Sequence, residues 1–105
     1  MTLAEDTFTA TGPCWLWRSS KPGTAAWYFM TVDPQTAAEI KYATLGRTRG
    51  FGSVRVAASI GDVRWQTSLF PHRESGGFLL PLKADVRKRA GIGEGDMVTV
   101  TLLPA

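Results

Sequence analysis

Apolar and polar residues alternate with a period of two along most of this chain, and two short stretches replace that rhythm with helical spacing. Phe8-Thr9-Ala10-Thr11 begins the alternation and predicts a strand. Gly12-Pro13 interrupts it ahead of the aromatic run Cys14-Trp15-Leu16-Trp17, and the Ser-, Pro- and Gly-containing stretch from Arg18 to Thr24 reads as a surface loop. Ala26 to Val32 is apolar, aromatic-rich and of strand length. It stops at Asp33-Pro34, a helix start: Asp can accept from the free amides of the first turn, and Pro at the first helical position gives up no needed hydrogen bond. The predicted helix runs from Pro34 to about Ala43, with Ala37, Ile40 and either Tyr42 or Ala43 turned inward and Gly46 at its exit.

Thr48 to Phe51 leads into a strand with Val54, Val56, Ala58 and Ile60 on one face and Ser53, Arg55 and Ser59 mainly on the other. Gly61-Asp62 fits a two-residue hairpin turn whose first position takes a positive φ. The return strand sets Val63, Trp65, Thr67 and Leu69 against Arg64, Gln66 and Ser68. After Phe70-Pro71, a polar turn from His72 to Gly77 leads to Phe78-Leu79-Leu80. A second helix is predicted from about Lys83 to Ala90, ended by Gly91 in the left-handed conformation. A glycine-rich turn from Ile92 to Asp96 then delivers the closing strand, Met97 to Leu102.

Tyr28 to Leu69 and Phe78 to Leu103 share one order: apolar strand, Pro-containing bend, short helix, glycine, strand. Few residues are identical between the two. The shared pattern predicts a mostly β fold with two short helices, a pseudo-twofold barrel of strand-helix-strand halves in which each half covers the other's apolar face and little strand edge is exposed.

Composition narrows the class. The 105 residues suit a single domain spanning residues 1 to 105, and 44% hydrophobic with 20% charged residues is ordinary for a globular chain. No apolar run approaches the ~20 residues that span a bilayer, and Glu5 and Asp6 stand where a signal peptide would be basic and then apolar, so a cytoplasmic protein with no membrane association is expected. Cys14 is the single cysteine, which excludes an internal disulfide and a multi-cysteine metal site. The net charge of +3 fits an anionic partner without requiring one. Arg predominates among the cations and suits bidentate contact with phosphate or carboxylate.

Two resemblances bear on these patterns. The stretch from Leu80-Pro81 through Arg87 and Gly91-Ile92 to Gly95-Asp96 and Val100 resembles the swapped-hairpin half of AbrB- and MazE-type transcription factors, although five residues separate Pro81 from Arg87, more than that superfamily usually has. From Phe8 onward, nearly the whole chain resembles a small bacterial domain of unknown function often found beside a bacteriocin-protection (OmpD-associated) domain. Trp27-Tyr28-Phe29 with Val32 and Pro34, Gly52-Ser53-Val54 to Gly61, Ser68-Leu69, and Leu80-Pro81 through Arg87 to Gly95-Asp96 carry that likeness. It implies a closed double-split β-barrel capped by helices, a single-chain counterpart of the AbrB dimer, and hence a monomer. It implies no particular activity.

Candidate sites follow from residue type. Arg47, Arg49, Arg55, Arg64 and Arg73 form a candidate anion or nucleic-acid surface, since Arg side chains on one sheet face can contact phosphates. A solvated face that keeps strand edges soluble is the simpler expectation. Arg87-Lys88-Arg89 fits the negative end of a helix dipole. Among the four Trp, Trp27 and Trp65 are expected in the core, whereas Trp15 and Trp17, of one strand parity beside a loop, are candidate pocket walls. His72 and Glu74 resemble a base and its orienter but fall in a turn expected to be exposed. Gly91-Ile92-Gly93-Glu94-Gly95 follows a helix and therefore cannot seat a phosphate at a helix start. No catalytic, metal or cofactor motif is present. The expectation is a non-enzymatic binding or accessory module for a small molecule or a protein, with an AbrB-like DNA-binding regulator as the alternative.

Overall fold

The computed structural model describes residues 7–18, 23, 26–46 and 52–105. Six strands and two helices follow in the order β1 (Phe8–Arg18), β2 (Ala26–Val32), α1 (Pro34–Ala43), β3 (Val54–Ile60), β4 (Val63–His72), β5 (Gly77–Pro81), α2 (Ala84–Ala90) and β6 (Met97–Pro104). The strands close into an antiparallel barrel in the order β1-β2-β5-β4-β3-β6. Closure leaves no free edge among these strands, which suits a sequence made of short alternating segments.

Alternation decides what fills the barrel. Val54, Val56 and Ala58 of β3 face inward with Leu69 of β4, Phe78 and Leu80 of β5, Val98, Val100 and Leu102 of β6, and Met30 and Val32 of β2. The Gly61-Asp62 turn joins β3 and β4 as expected, with Ile60 opposite Val63 and Gly61 at φ 57°. Helix α1 begins where Asp33 and Pro34 predict: Thr36 N–H donates to the Asp33 carboxylate at 3.0 Å. It buries Ala37 and Ile40, half-buries Ala43 and leaves Tyr42 exposed. Helix α2 buries only Val86; Lys83 is its N-cap residue rather than its first turn, and Gly91 ends it at φ 69°.

Several expectations shift. Gly12-Pro13 does not divide β1. The strand runs through them and changes partner there, with Phe8 to Pro13 on β6 and Cys14 to Arg18 on β2. Strand β4 does the same, pairing β3 through Leu69 and β5 from Phe70, so it passes Pro71 and reaches His72. Ser53 is buried rather than outward. Thr48 to Phe51 and Ser19 to Pro22 lie outside the described residues.

The repeat is also larger than strand-helix-strand. β1-β2-α1-β3 and β4-β5-α2-β6 exchange onto each other with their pairings preserved: β1–β2 corresponds to β4–β5, and β3–β4 to β6–β1. The β2–β5 and β3–β6 pairs map onto themselves.

Candidate binding site

The outer surface of the barrel has two unlike halves. Over β1, β6 and β3 it is mixed: Thr9 opposite Thr101 and Thr11 opposite Thr99, whose hydroxyls lie 3.0 Å apart, are flanked by the exposed Met97 beside Pro13 and by Leu103 beside Ala57. Over β1, β2, β5 and β4 the outward positions are instead aromatic or apolar. Strand register stacks them in rows: Trp17 beside Trp27, then Trp15, Phe29 and Pro81, then Thr31, Leu79 and Phe70. A pleated surface places such cross-strand partners in contact. Trp15 and Phe29 have ring centroids 5.3 Å apart, and Trp27 stacks on Phe29 at 6.5 Å with planes only 11° apart. Trp15 is fixed further by its indole N–H, which donates to Thr31 Oγ1 at 2.9 Å.

This face is not a hidden core. Trp27 is 54% exposed, Trp17 47% and Phe70 43%. With Trp15, Leu79 and Pro81 they line an apolar cleft of about 540 Å³, bounded at one end by His72 and Glu74. Contiguous exposed apolar surface of this kind is rare on a domain that needs no partner.

A second cleft, of about 550 Å³, adjoins the first and shares Trp27, Phe70 and Pro81 with it. Its origin is the partner change in β4. Thr67 and Ser68 pair with β3, whereas Leu80 and Pro81 pair with β2, so β4 and β5 part company beyond Phe70 and Leu79. The short helix α2, with one buried side chain, leaves that opening partly unfilled. Arg55, Lys83 and Arg87 line it, and no carboxylate among the described residues does. The Arg87 guanidinium lies 3.7 Å from the Tyr28 ring centroid, and its Nε–H donates to Leu82 O at 3.0 Å. Arg55 Nη1 donates to Ser68 Oγ at 3.3 Å. Neither Arg pairs with an acid among the described residues, where the ion pairs are His72–Glu74 and Arg89–Asp85.

The predicted site residues are placed as follows. Trp15 and Trp17 share an outer face and are among the residues that line the apolar cleft. Trp27, expected in the core, belongs to that face: its parity matches Phe29, and inward positions on β2 go to Met30 and Val32. Trp65 does pack against the core. Arg55 and Arg64 share the outer face of the β3–β4 hairpin but lie opposite Ser68 and Ser59, two cross-strand pairs of one face apart. Arg73 sits in the turn after β4, beside Lys41 and His72 in a separate depression. The described members of the Arg set therefore do not converge, and Arg47 and Arg49 lie outside the described residues. Arg87, expected only to offset a helix dipole, proves to be part of the cleft wall. Its spacing from Tyr28 carried no sequence signal, because the contact joins a strand to a helix more than fifty residues away.

The His72 turn is more ordered than its sequence suggests. His72 Nδ1 and Ser75 Oγ are 2.8 Å apart, and Glu74 Oε1 lies 3.4 Å from Nε2. The Ser75 hydroxyl also accepts the Gly77 amide at 3.1 Å, which ties it into the turn, and the Glu74 side chain is 91% exposed. These contacts fix His72 against Trp15, with ring centroids at 6.2 Å. Cys14 is buried in the barrel. Burial pushes its thiol pKa up, the nearby Arg87 charge pulls it down, and Asp96 and Glu94 raise it again. A thiol so placed is a packing group rather than a nucleophile. Among the described residues no group of three potential metal ligands forms, and no helix is long and apolar enough to cross a membrane.

Fold and surface together define a small closed β-barrel with one outer face built of exposed aromatic side chains. The chain belongs to the family described as a domain of unknown function, DUF1905, whose model matches residues 8–102. No curated protein matches it.

Proposed function

We propose that this barrel is a non-enzymatic binding module whose working surface is the aromatic outer face of β1, β2, β5 and β4. The observation that carries the reading is the joint exposure of Trp17, Trp27 and Phe70 on one face, where they line a single apolar cleft. Trp and Phe presented on rigid strands lose little conformational freedom when covered, so they are efficient platforms for a flat apolar group. A role without chemistry is supported by the state of the groups that would otherwise perform it: Cys14 is sealed in the core, and the Ser75 hydroxyl is tied to the Gly77 amide.

The test is a titration of the full chain with the neutral fluorescent probe phenylnaphthylamine, followed by probe emission and by quenching of tryptophan. Saturable one-to-one binding that Trp27→Ala weakens, with circular dichroism unchanged, is the expected result. No saturable binding to the folded wild-type chain would refute the reading. The rival, an AbrB-like DNA-binding regulator, draws less support because Arg73 lies in a depression apart from Arg55 and Arg64, which are themselves two cross-strand pairs apart on the hairpin face. Salt-dependent retardation of random duplex DNA would favour that rival.

A further inference from the structure

We infer that the cleft between β4, β5 and α2 takes a small organic anion whose flat apolar body lies against Trp27 and Phe70 and whose carboxylate, sulfonate or phosphate is held by Arg55 and Arg87. This rests on the aromatic face being a binding surface and adds the charge and size of what it binds.

Three observations lead there. First, the two clefts adjoin and share Trp27, Phe70 and Pro81 in their walls, so a ligand in the cation-lined opening also meets side chains of the aromatic face. A volume of about 550 Å³ falls in the usual range for small-molecule sites, roughly 300–1,000 Å³. Second, the charge in this opening is one-sided. Arg55, Lys83 and Arg87 contribute three cations, and no acidic residue among the described ones lines it. The one Lys or Arg ion pair among the described residues, Arg89 with Asp85 one helical turn away, lies outside this opening. Third, Arg87 is pre-positioned. Stacking on Tyr28 and the Nε–H bond to Leu82 O hold the guanidinium plane, while its Nη groups have no partner among the described residues. A planar donor edge fixed in this way matches a carboxylate or phosphate, and fixing it in advance lowers the ordering cost of binding. The Ser68 hydroxyl, which accepts from Arg55, belongs to the same wall.

The distribution of charge favours a small ligand over a nucleic-acid strand. Among the described lining residues of the two adjoining clefts, Lys and Arg fall in the second, and the first carries the exposed Glu74 carboxylate. A strand crossing the aromatic face would bring repeated phosphates toward that carboxylate, whereas a ligand with a single anionic end meets only the basic opening.

Two fluorescent probes separate this inference from the reading beneath it: anilinonaphthalenesulfonate, an aromatic anion, and phenylnaphthylamine, its neutral counterpart. The wild-type chain at low salt should bind the anionic probe about tenfold more tightly, the worth of roughly one charge-assisted hydrogen bond. Added salt should erode the difference. Arg55→Gln, a surface change, should remove most of the preference and leave the neutral probe unaffected. Lys83→Gln gives a second, independent reading that does not disturb the Arg87 clamp. Trp27→Ala should weaken both probes. Equal affinity for the two probes, or a preference indifferent to both Arg55→Gln and Lys83→Gln, overturns the anion assignment while the aromatic face stands. Failure of both probes to bind overturns the two together. A single-stranded oligonucleotide that displaces the anionic probe and binds more tightly than it overturns the commitment to a small ligand.

Discussion

Asp33 and Gly77 show how much a single position decides in this barrel. The Asp33 carboxylate accepts the Thr36 amide, and this bond holds its pKa below the ordinary value of 3.8. A carboxyl whose folded-state pKa is depressed adds stability above its unfolded value and loses it as pH falls through the folded one. Asp33→Ala should therefore cost about 1 kcal/mol near neutrality, the usual worth of such a cap, and the gap from wild type should narrow in acid. Urea unfolding at several pH values measures this, and a gap constant down to the acid limit would contradict it. Gly77 is buried where β5 begins, and a Cβ there would collide with the Val32 carbonyl oxygen. Backbone cannot yield as a flexible side chain does, so Gly77→Ala should lose about 3 kcal/mol. Gly91, at φ 69° with open space around it, gives the contrast: its Ala variant pays only the left-handed strain, about 1 kcal/mol. The Asp33 cap and the Gly91 stop were legible because each is local chemistry. The constraint at Gly77 was not, because its neighbour is forty-five residues back along the chain.

At the scale of elements, α2 is the least self-sufficient part. Seven residues are too few for a stable isolated helix, and one buried side chain, Val86, is a thin anchor. Arg87 supplies the remainder by lying on Tyr28 and capturing Leu82 O, which joins the helix to β2 and to the end of β5. Arg87→Lys keeps the charge but loses the flat stack and the fixed donor, and should destabilise by about 1 kcal/mol. Asp85→Ala removes an exposed i,i+4 ion pair and should cost less than about 0.5 kcal/mol. Chemical denaturation of the two variants ranks them, and an Asp85 effect equal to that of Arg87 would argue against the clamp. The periodicities of the sequence located both helices and all six strands, since alternation and helical spacing are local signals. They misassigned Trp27, because an aromatic strand reads as core whenever the face it presents is unknown. They also stopped β4 at Phe70-Pro71, because a proline at a partner change looks like a strand end. That Trp15 and Trp17 share a face was legible from parity, whereas the cation-lined cleft arises from where β4 leaves β3 for β5, which no pattern within one strand reports.

The whole molecule is held by the way its halves interlock. Within β1-β2-α1-β3 the strand pairing is β1 with β2 alone; β3 finds both its neighbours, β4 and β6, in the other half. Likewise β6 pairs with β1 and β3 and with nothing in its own half. The core is shared in the same manner, since Met30 and Val32 lie opposite Leu80 and Phe78. A half on its own therefore has one two-stranded pairing, a stranded third strand and an uncovered apolar face, a combination that is marginal in water. Opening the chain in the Gly61-Asp62 turn should give two fragments, 1–61 and 62–105, each without a cooperative thermal transition. Mixing them should restore the barrel, at concentrations where pairing across four strand interfaces outweighs the lost covalent link. Circular dichroism and size-exclusion chromatography read the outcome: strand signal and a compact species on mixing, neither from a fragment alone. A fragment that melts cooperatively as a monomer would mean that the strand-helix-strand pattern is a domain in itself rather than half of one. Recovery of probe binding in the mixture gives a separate check, because Trp17 and Trp27 come from one fragment, Phe70, Pro81 and Arg87 from the other, and the surface exists only where the two meet.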